Sequence, residues 1–577
     1  MKRWRLAAIL AILGLGATRS AAAQALARFE AAVAEGDAAW KSGRFPDAKA
    51  AYQAALAIDS MGSSRAVYRL AVLRSWDGDL TRAIPLFQRY TVLEPRDEEG
   101  RIALAKAFAW NGETALSVAV YDSILGRDRT YRDAALGAAL ALAWAGRFEE
   151  AVARYDRWLA ENARDVEAEL ARARTLAWSG KLGRAEATYA EIAARGERLE
   201  ADKGVALVAA WRGDLLRSES LWRRVTERAP KDAEAWVGLA QVLRWSGRPE
   251  DARDALQRAL AADPENTDAA EQLRWVRADL APAVDPSVTA SWDSDENRSA
   301  VVALGATVRP VRRVRLTIAG SRREASLAAA SGTSTAGRLV LRTALGRRVT
   351  VVGDVGTTRM HASDGVAGTD RTVTTGGGSV TLRVAPRLAV GANVRRSAFD
   401  ETAALLLSGI DVRSAGLEGE WEPFGRVALA GGVERASLRG GSGPNERRAA
   451  FGALRWRVRR QVTLSLAGRG FRYDEQRRDG YFAPARYELA EVGGRWAPGR
   501  DLGWAASVEV AAGAQRVTFS GPPATRATQR AGMSLAFRPA PGNEIGLQYS
   551  FSNVAGTAAE GTIYRGQSLS LTARITF

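Results

Sequence analysis

The C-terminal half of the chain, from Val284 to Phe577, is a series of short segments that alternate apolar and polar residues. No other feature limits the fold as strongly. In the last segment Leu569, Leu571, Ala573, Ile575 and Phe577 share one face, and Ser568, Ser570, Thr572, Arg574 and Thr576 the other. Period two is the strand period, so one face is apolar and the other wet. A soluble sandwich strand could carry the same pattern. Here it recurs to the chain end in segments of about ten residues, the length a transmembrane strand needs. The expected fold of 282–577 is a closed antiparallel β-barrel in a membrane.

The segments pair through seven tight turns, at Arg309-Pro310, Gly346-Arg347, Ala385-Pro386, Pro423, Arg459-Arg460, Pro498-Gly499 and Pro539–Pro541. A first strand near Val288–Trp292 and the last at Leu569–Phe577 bring the expected number to about sixteen. Longer polar connections are expected at Arg323–Thr335, Arg359–Thr375, Asp400–Asp411, Asp474–Pro484 and Ser520–Thr528. Short turns on one rim and long loops on the other are how bacterial outer-membrane barrels are built. Trp421, Trp456, Trp496 and Phe537 end strands beside tight turns, where an aromatic girdle belongs.

Alternation also assigns the lumen. Arg315, Arg342, Arg383, Arg395, Arg455, Arg457, Arg469, Arg495 and Arg574 fall on the polar face, with Glu418, Glu420, Glu434, Glu509 and Glu544. An Arg on the lipid face at mid-membrane costs about 2–4 kcal/mol, so these charges are placed inside. They either pair across strands to fill the lumen or line a hydrated channel that favours anions. From Ala281 onward the chain has 40 Arg, no Lys and 25 Asp plus Glu, so most of the net +17 belongs to the barrel.

The N-terminus has a basic start (Lys2, Arg3, Arg5), an apolar run from Leu6 to Ala17, and Ala21 and Ala23 placed for cleavage. A secretory signal peptide over 1–23 is expected; about a dozen apolar residues are too few to span a bilayer. An exported chain seldom meets nucleic acid, so none is expected as a partner. There are no cysteines, hence no disulfide or thiolate metal site.

Between signal and barrel, Gly43, Gly78, Gly112, Gly146, Gly180, Gly213 and Gly247 recur every 33 to 35 residues. Trp76, Trp110, Trp144, Trp178, Trp211 and Trp245 precede six of them by two positions, and Trp40 precedes Gly43 by three. Such a period marks a solenoid of helix–turn–helix units. Seven residues before each Gly stand Gly36, Ala71, Ala105, Ala139, Ala173, Ala206 and Ala240. Five after stand Ala48, Ala83, Ala151, Ala185 and Ala252, with Ser117 and Ser218 in the other two units. This pattern resembles the tetratricopeptide repeat: seven repeats over about 27–264, a capping helix at Thr267–Leu280 and a stiff linker at Ala281–Pro286. By that resemblance the Trp column faces a concave groove, where it could stack on sugar rings or cations. Alternatively each Trp covers the seam between repeats.

No catalytic, cofactor or metal constellation is present, and an enzyme is not expected. His361, the one histidine, lies beside Asp364 without a nucleophile; Ser179-Gly180-Lys181 is a repeat turn, and Gly376–Gly378 precedes no helix.

A repeat array (24–281) fused to a barrel (282–577) is similar to the export porins for poly-N-acetylglucosamine and cellulose and to YaiO-type barrel proteins. A terminal Phe is also an ending that bacterial outer-membrane proteins tend to have. The resemblance implies an outer-membrane conduit with its repeats in the periplasm, passing a secreted polysaccharide to the surface. The repeats would dock the polymer or inner-membrane and periplasmic synthesis or modification proteins. The Arg-rich lumen leans towards an acidic polymer, and the inward Glu residues blunt that inference. A general or anion-selective porin, and a closed-barrel receptor or envelope scaffold, are the alternatives.

Overall fold

The computed structural model describes residues 23–196, 198–328, 330–499, 501–554 and 564–577. The expected signal peptide lies outside the described residues except for Ala23. Helix α1 spans 23–41 and pairs with α2 (Phe45–Ile58). Five further hairpins follow: α3 (Ser64–Trp76) with α4 (Leu80–Leu93), α5 (Glu98–Trp110) with α6 (Thr114–Leu125), α7 (Arg132–Trp144) with α8 (Phe148–Glu161), α9 (Val166–Trp178) with α10 (Leu182–Ala194), and α11 (Arg198–Trp211) with α12 (Leu215–Arg228). The seventh is α13 (Ala233–Trp245) with α14 (Pro249–Ala262), and α15 (Thr267–Leu280) caps the array.

Each turn glycine has a φ between +70° and +83°, a left-handed backbone where a Cβ would be strained. In the fourth repeat Gly146 N donates to Ala143 O at 3.0 Å and Arg147 N to Leu142 O at 2.9 Å, closing the helix end. The small-residue columns are where helices touch. Ala71, Ala105, Ala139, Ala173, Ala206 and Ala240 are buried, as are Ala48, Ala83, Ala151, Ala185, Ala252, Ser117 and Ser218. Aromatic rings of second helices lie against glycines of first helices: Tyr52 on Gly36, Tyr121 on Gly137, Tyr189 on Gly204, Trp222 on Gly238.

The chain divides into two compact units at Val208/Ala209, within α11. The second unit therefore holds α12–α15 together with the barrel.

The barrel is a closed antiparallel ring of sixteen strands, each paired with its sequence neighbours and the first with the last. They are β1 (Ala283–Asp293), β2 (Arg298–Val311), β3 (Val314–Leu327), β4 (Ala330–Leu345), β5 (Val349–Ser363), β6 (Gly368–Ala385), β7 (Leu388–Ala398), β8 (Asp411–Phe424), β9 (Val427–Arg439), β10 (Asn445–Arg459), β11 (Val462–Tyr473), β12 (Arg486–Trp496), β13 (Gly503–Thr518), β14 (Ala524–Ala540), β15 (Asn543–Ser552) and β16 (Gly566–Thr576). A short helix, α16 (Ala403–Ser408), lies between β7 and β8.

Residues directly opposed across an antiparallel pair share a face. The register carries Leu571 to Val288 and Val302, and Leu417 to Val433 and Ala450. These apolar side chains are exposed, as suits a surface meant for hydrocarbon rather than water. Trp421, Trp456, Trp496 and Phe537 share that face at the short-turn end.

Two expectations are corrected. Segments 323–335 and 359–375 are mostly strand, not long loops: β3 runs to Leu327 and β4 restarts at Ala330, while β5 runs to Ser363 and β6 restarts at Gly368. Likewise β14 restarts at Ala524. Polar residues read as loop, yet a closed ladder satisfies backbone groups beyond the bilayer as well as within it. Ala281–Pro286 is not a linker either. β1 begins at Ala283, three residues after α15 ends. Pro286 pairs with Leu304 of β2 but with nothing on β16, so its missing N–H falls in a gap of the ladder.

Candidate functional site: the barrel lumen and the repeat face

Neighbouring strands fix which way each charge points. Leu341 and Leu345 lie on the lipid-facing side of β4, so Arg342 points inward, directly opposite Arg315 of β3. By the same register Arg383, Arg395, Arg455, Arg457, Arg469, Arg495 and Arg574 lie on the interior face with Glu418, Glu420, Glu434, Glu509 and Glu544. Several are paired: Arg395 with Asp354 at 3.3 Å, Arg455 with Glu420 at 2.7 Å and Arg574 with Asp285 at 3.3 Å. Arg495 stands opposite Glu509, and Arg469 lies 5.7 Å from the centre of the Tyr487 ring. Among the described residues, Arg315, Arg342, Arg457 and Arg495 have no carboxylate within 4.0 Å. The interior wall thus carries both paired arginines and arginines without a carboxylate partner. Near the short-turn mouth, Arg426, Arg455, Arg457 and Arg495 surround a cavity of about 390 Å³ with Glu420, Glu422 and Glu509.

Sequence reasoning did not find the plug. The 399–410 connection turns back into the barrel at the long-loop end. Leu406 and Ala403 of α16 pack on Ala325, Met360, Ala362 and Val373, all interior residues of β3, β5 and β6. On its other side Leu405 and Ile410 pack on Ala436, Leu438, Tyr473, Tyr481 and Ala483. Polar contacts lock it. Thr369 Oγ1 donates to Leu407 O at 2.8 Å, Ser408 Oγ to Asp479 O at 2.6 Å, and Gly441 N to Ser408 O at 2.9 Å. Arg371 donates to Gly409 O, and Ser334 to Asp400. The β9–β10 and β11–β12 loops are joined to the plug by these contacts. The signal was present in Ala403-Ala-Leu-Leu-Leu407, an apolar run inside an otherwise polar loop.

A cavity of about 800 Å³ lies between Glu401 and Thr402 of the plug and the wall bearing Arg323, Arg469, Glu491 and Arg530. Glu491 is almost wholly buried there and is held by Arg530 at 2.7 Å.

In the repeats, Trp76, Trp110, Trp144, Trp178, Trp211 and Trp245 each end a first helix. Trp76, Trp110, Trp144, Trp178 and Trp245 are exposed. Trp40 packs partly into the first hairpin and stacks on Trp76 with ring centres 5.8 Å apart. Among the described residues it is the one stacked pair in the column. Trp110, Trp144 and Trp178 of the first unit are exposed without a stacked ring partner among the described residues.

The last repeats are fastened to the short-turn rim within the second unit. Arg309 pairs with Glu250 at 3.6 Å and donates through Nη2 to Asp279 O at 2.9 Å. Arg312 reaches Asp251 and Asp254, and Arg347 lies 3.5 Å from the buried Glu219. Burial raises the Asp251 carboxyl, but Arg248, Arg312 and Arg313 together outweigh it and hold it below the ordinary carboxylate range.

Residues 33–98 and 212–274 match models of the tetratricopeptide repeat. No curated protein matches the chain. Among solved structures, a tetratricopeptide repeat protein from Parabacteroides merdae is 16% identical, over 43% of this chain and 99% of that one, with a TM-score of 0.36. A bacterial polysaccharide outer membrane secretin is 10% identical over 52% of this chain and 99% of that one, with a TM-score of 0.41. CdiB from Acinetobacter baumannii is 10% identical over 51% and 60%, with a TM-score of 0.36.

Proposed function

We propose that this protein is a passive outer-membrane conduit that exports a polysaccharide from periplasm to cell surface, without enzymatic activity of its own. The observation that carries the reading is the lumen itself. A closed sixteen-strand barrel is wide enough for an aqueous bore. Its wall carries arginines, some without carboxylate partners, and a folded-in loop narrows it. Hydroxyls, guanidinium groups and carboxylates side by side suit a hydrated, weakly held chain that must slide. The exposed Trp faces of the repeats offer sugar-stacking platforms, and the repeats would also receive synthesis or modification proteins. The test is surface polymer in a strain lacking the gene. Loss restored by the intact gene is expected; normal surface polymer overturns the reading.

A second reading is an anion-selective porin. It is favoured by Arg315 and Arg342, which oppose each other across β3 and β4. Planar-bilayer recording separates the two: a steady, wide, anion-selective conductance supports the porin, and a small or intermittent one the plugged conduit.

A further inference from the structure

On the lipid-facing side of the barrel, where the apolar band ends towards the long loops, arginines stand in a row. Arg396 of β7 is directly opposite Arg413 of β8. Arg435 of β9 is directly opposite Arg448 of β10, which is directly opposite Arg472 of β11. Arg486 of β12 continues the row. All share a face with Val394, Leu417, Val433 and Val492, so they point away from the lumen. Arg396 lies two residues past Val394, and Arg435 two past Val433, a rise of about 7 Å. That places the guanidinium groups at the border between hydrocarbon and headgroups.

Like charges directly opposed on adjacent strands destabilise a sheet, so a row of them requires counter-charge. The protein supplies part of it. Asp411 holds Arg396 at 3.0 Å, Glu446 holds Arg435 at 2.6 Å, Asp474 lies 3.8 Å from Arg448, and Glu488 pairs with Arg486. Asp411 is shared with the interior Arg371. Among the described residues, Arg413 and Arg472 have no carboxylate within 4.0 Å. Six cations thus face four carboxylates at the depth where lipid phosphates lie.

We propose that the β7–β12 face binds the phosphate groups of an anionic glycolipid of the outer leaflet, of the lipid A kind. The guanidinium fork matches phosphate oxygens in pairs and keeps its charge at any physiological pH. The acyl chains would lie along Val394, Leu417 and Val433 below. Divalent cations that bridge neighbouring lipid phosphates are replaced there by protein charge, sealing barrel to leaflet. The proposal rests on the barrel spanning the outer membrane, and not on what passes through it.

The test uses the full chain in detergent, with bisphosphorylated lipid A as probe and native mass spectrometry as readout. The triple variant Arg413→Gln/Arg448→Gln/Arg472→Gln is compared with a charge-matched interior triple, Arg457→Gln/Arg469→Gln/Arg495→Gln. Folding of each is checked by heat-modifiable gel migration. The outward triple is expected to lose about 100-fold in lipid affinity, as three cationic contacts at a membrane surface imply, and the interior triple to keep wild-type affinity. Equal affinity in both triples overturns the proposal. So does equal binding of dephosphorylated lipid, or displacement by inorganic phosphate, which would mark a small-anion site. Failure of the wild type to insert into phosphatidylethanolamine–phosphatidylglycerol vesicles would remove the membrane reading itself. Insertion without preference for lipid A would remove this proposal alone.

Discussion

Arg312, on the β2–β3 turn, donates through Nη1 to Asp254 Oδ2 of α14 at 2.9 Å, so a barrel turn and the last repeat hairpin are one charged junction. Each exposed pair is worth about 0–1 kcal/mol, but Asp251, Asp254 and Glu250 meet Arg309, Arg312 and Arg313 as a network. Arg312→Glu should loosen α14 and α15 by about 1–2 kcal/mol, read as roughly tenfold faster amide exchange there with barrel amides unchanged. Adding Asp254→Arg should recover part of the protection. Asp251 and Asp254 are held below the ordinary carboxylate range, so their stabilisation is present at neutral pH and fades as pH falls through their folded values.

The small-residue column tests the helix packing. Ala139 is fully buried in a cluster with Tyr155 and Ala171. Ala139→Leu should destabilise the array by about 1–3 kcal/mol through overpacking. The same change at Ala145, an exposed turn residue, should cost little. Thermal loss of the helical circular-dichroism signal measures both.

These columns were legible because a repeat writes its packing seven times, and the sixteen strands because lipid enforces alternation. Lumen orientation followed from alternation alone, since a one-residue slip would put Arg342 into hydrocarbon. What sequence could not give was tertiary. Nothing local distinguishes a loop folded into a barrel, as 399–410 is, from one splayed outside. Strand ends were misjudged for a related reason: Arg359 and Asp370 pair across β5 and β6 in water, where no apolar partner marks the strand. The outward arginines of β7–β12 become a row only once register is known.

Asp165 supplies a pH-dependent term in the repeats. Arg132 donates to both its oxygens at 2.8 Å, burial opposes this, and Trp158 Nε1 and Ala168 N add hydrogen bonds. The carboxyl is held at about 2. A depressed folded pKa stabilises above the unfolded value, near 4, and that stabilisation is lost as pH falls towards 2. Asp165→Asn should therefore cost about 1–2 kcal/mol at neutral pH and little at pH 2. Denaturant titration of the helical signal at several pH values checks it.

Arg315 and Arg342 add uncompensated positive charge to the interior wall near the short-turn end. They oppose each other without a carboxylate in reach, so removing their charge has no partner to strand. Arg315→Glu/Arg342→Glu should shift bilayer reversal potential from anion towards cation preference, with conductance altered less than about twofold. Arg455→Gln, by contrast, frees Glu420 and should produce a smaller shift of the same sign.

On the proposed conduit reading, the plug should govern how much passes. Leu406 is fully buried between interior side chains of β3, β5 and β6, so a carboxylate at its position must be expelled or neutralised. Leu406→Asp should drive α16 out of the lumen, because the hydrogen bonds from Thr369 and Ser408 cannot offset a buried charge. Single-channel conductance should rise several-fold, while the barrel keeps its heat-modifiable migration. Unchanged conductance with intact migration in Leu406→Asp would mean that α16 does not limit flow, and neutralising Glu491 together with Arg530 on the wall of the neighbouring cavity would then be the change to test.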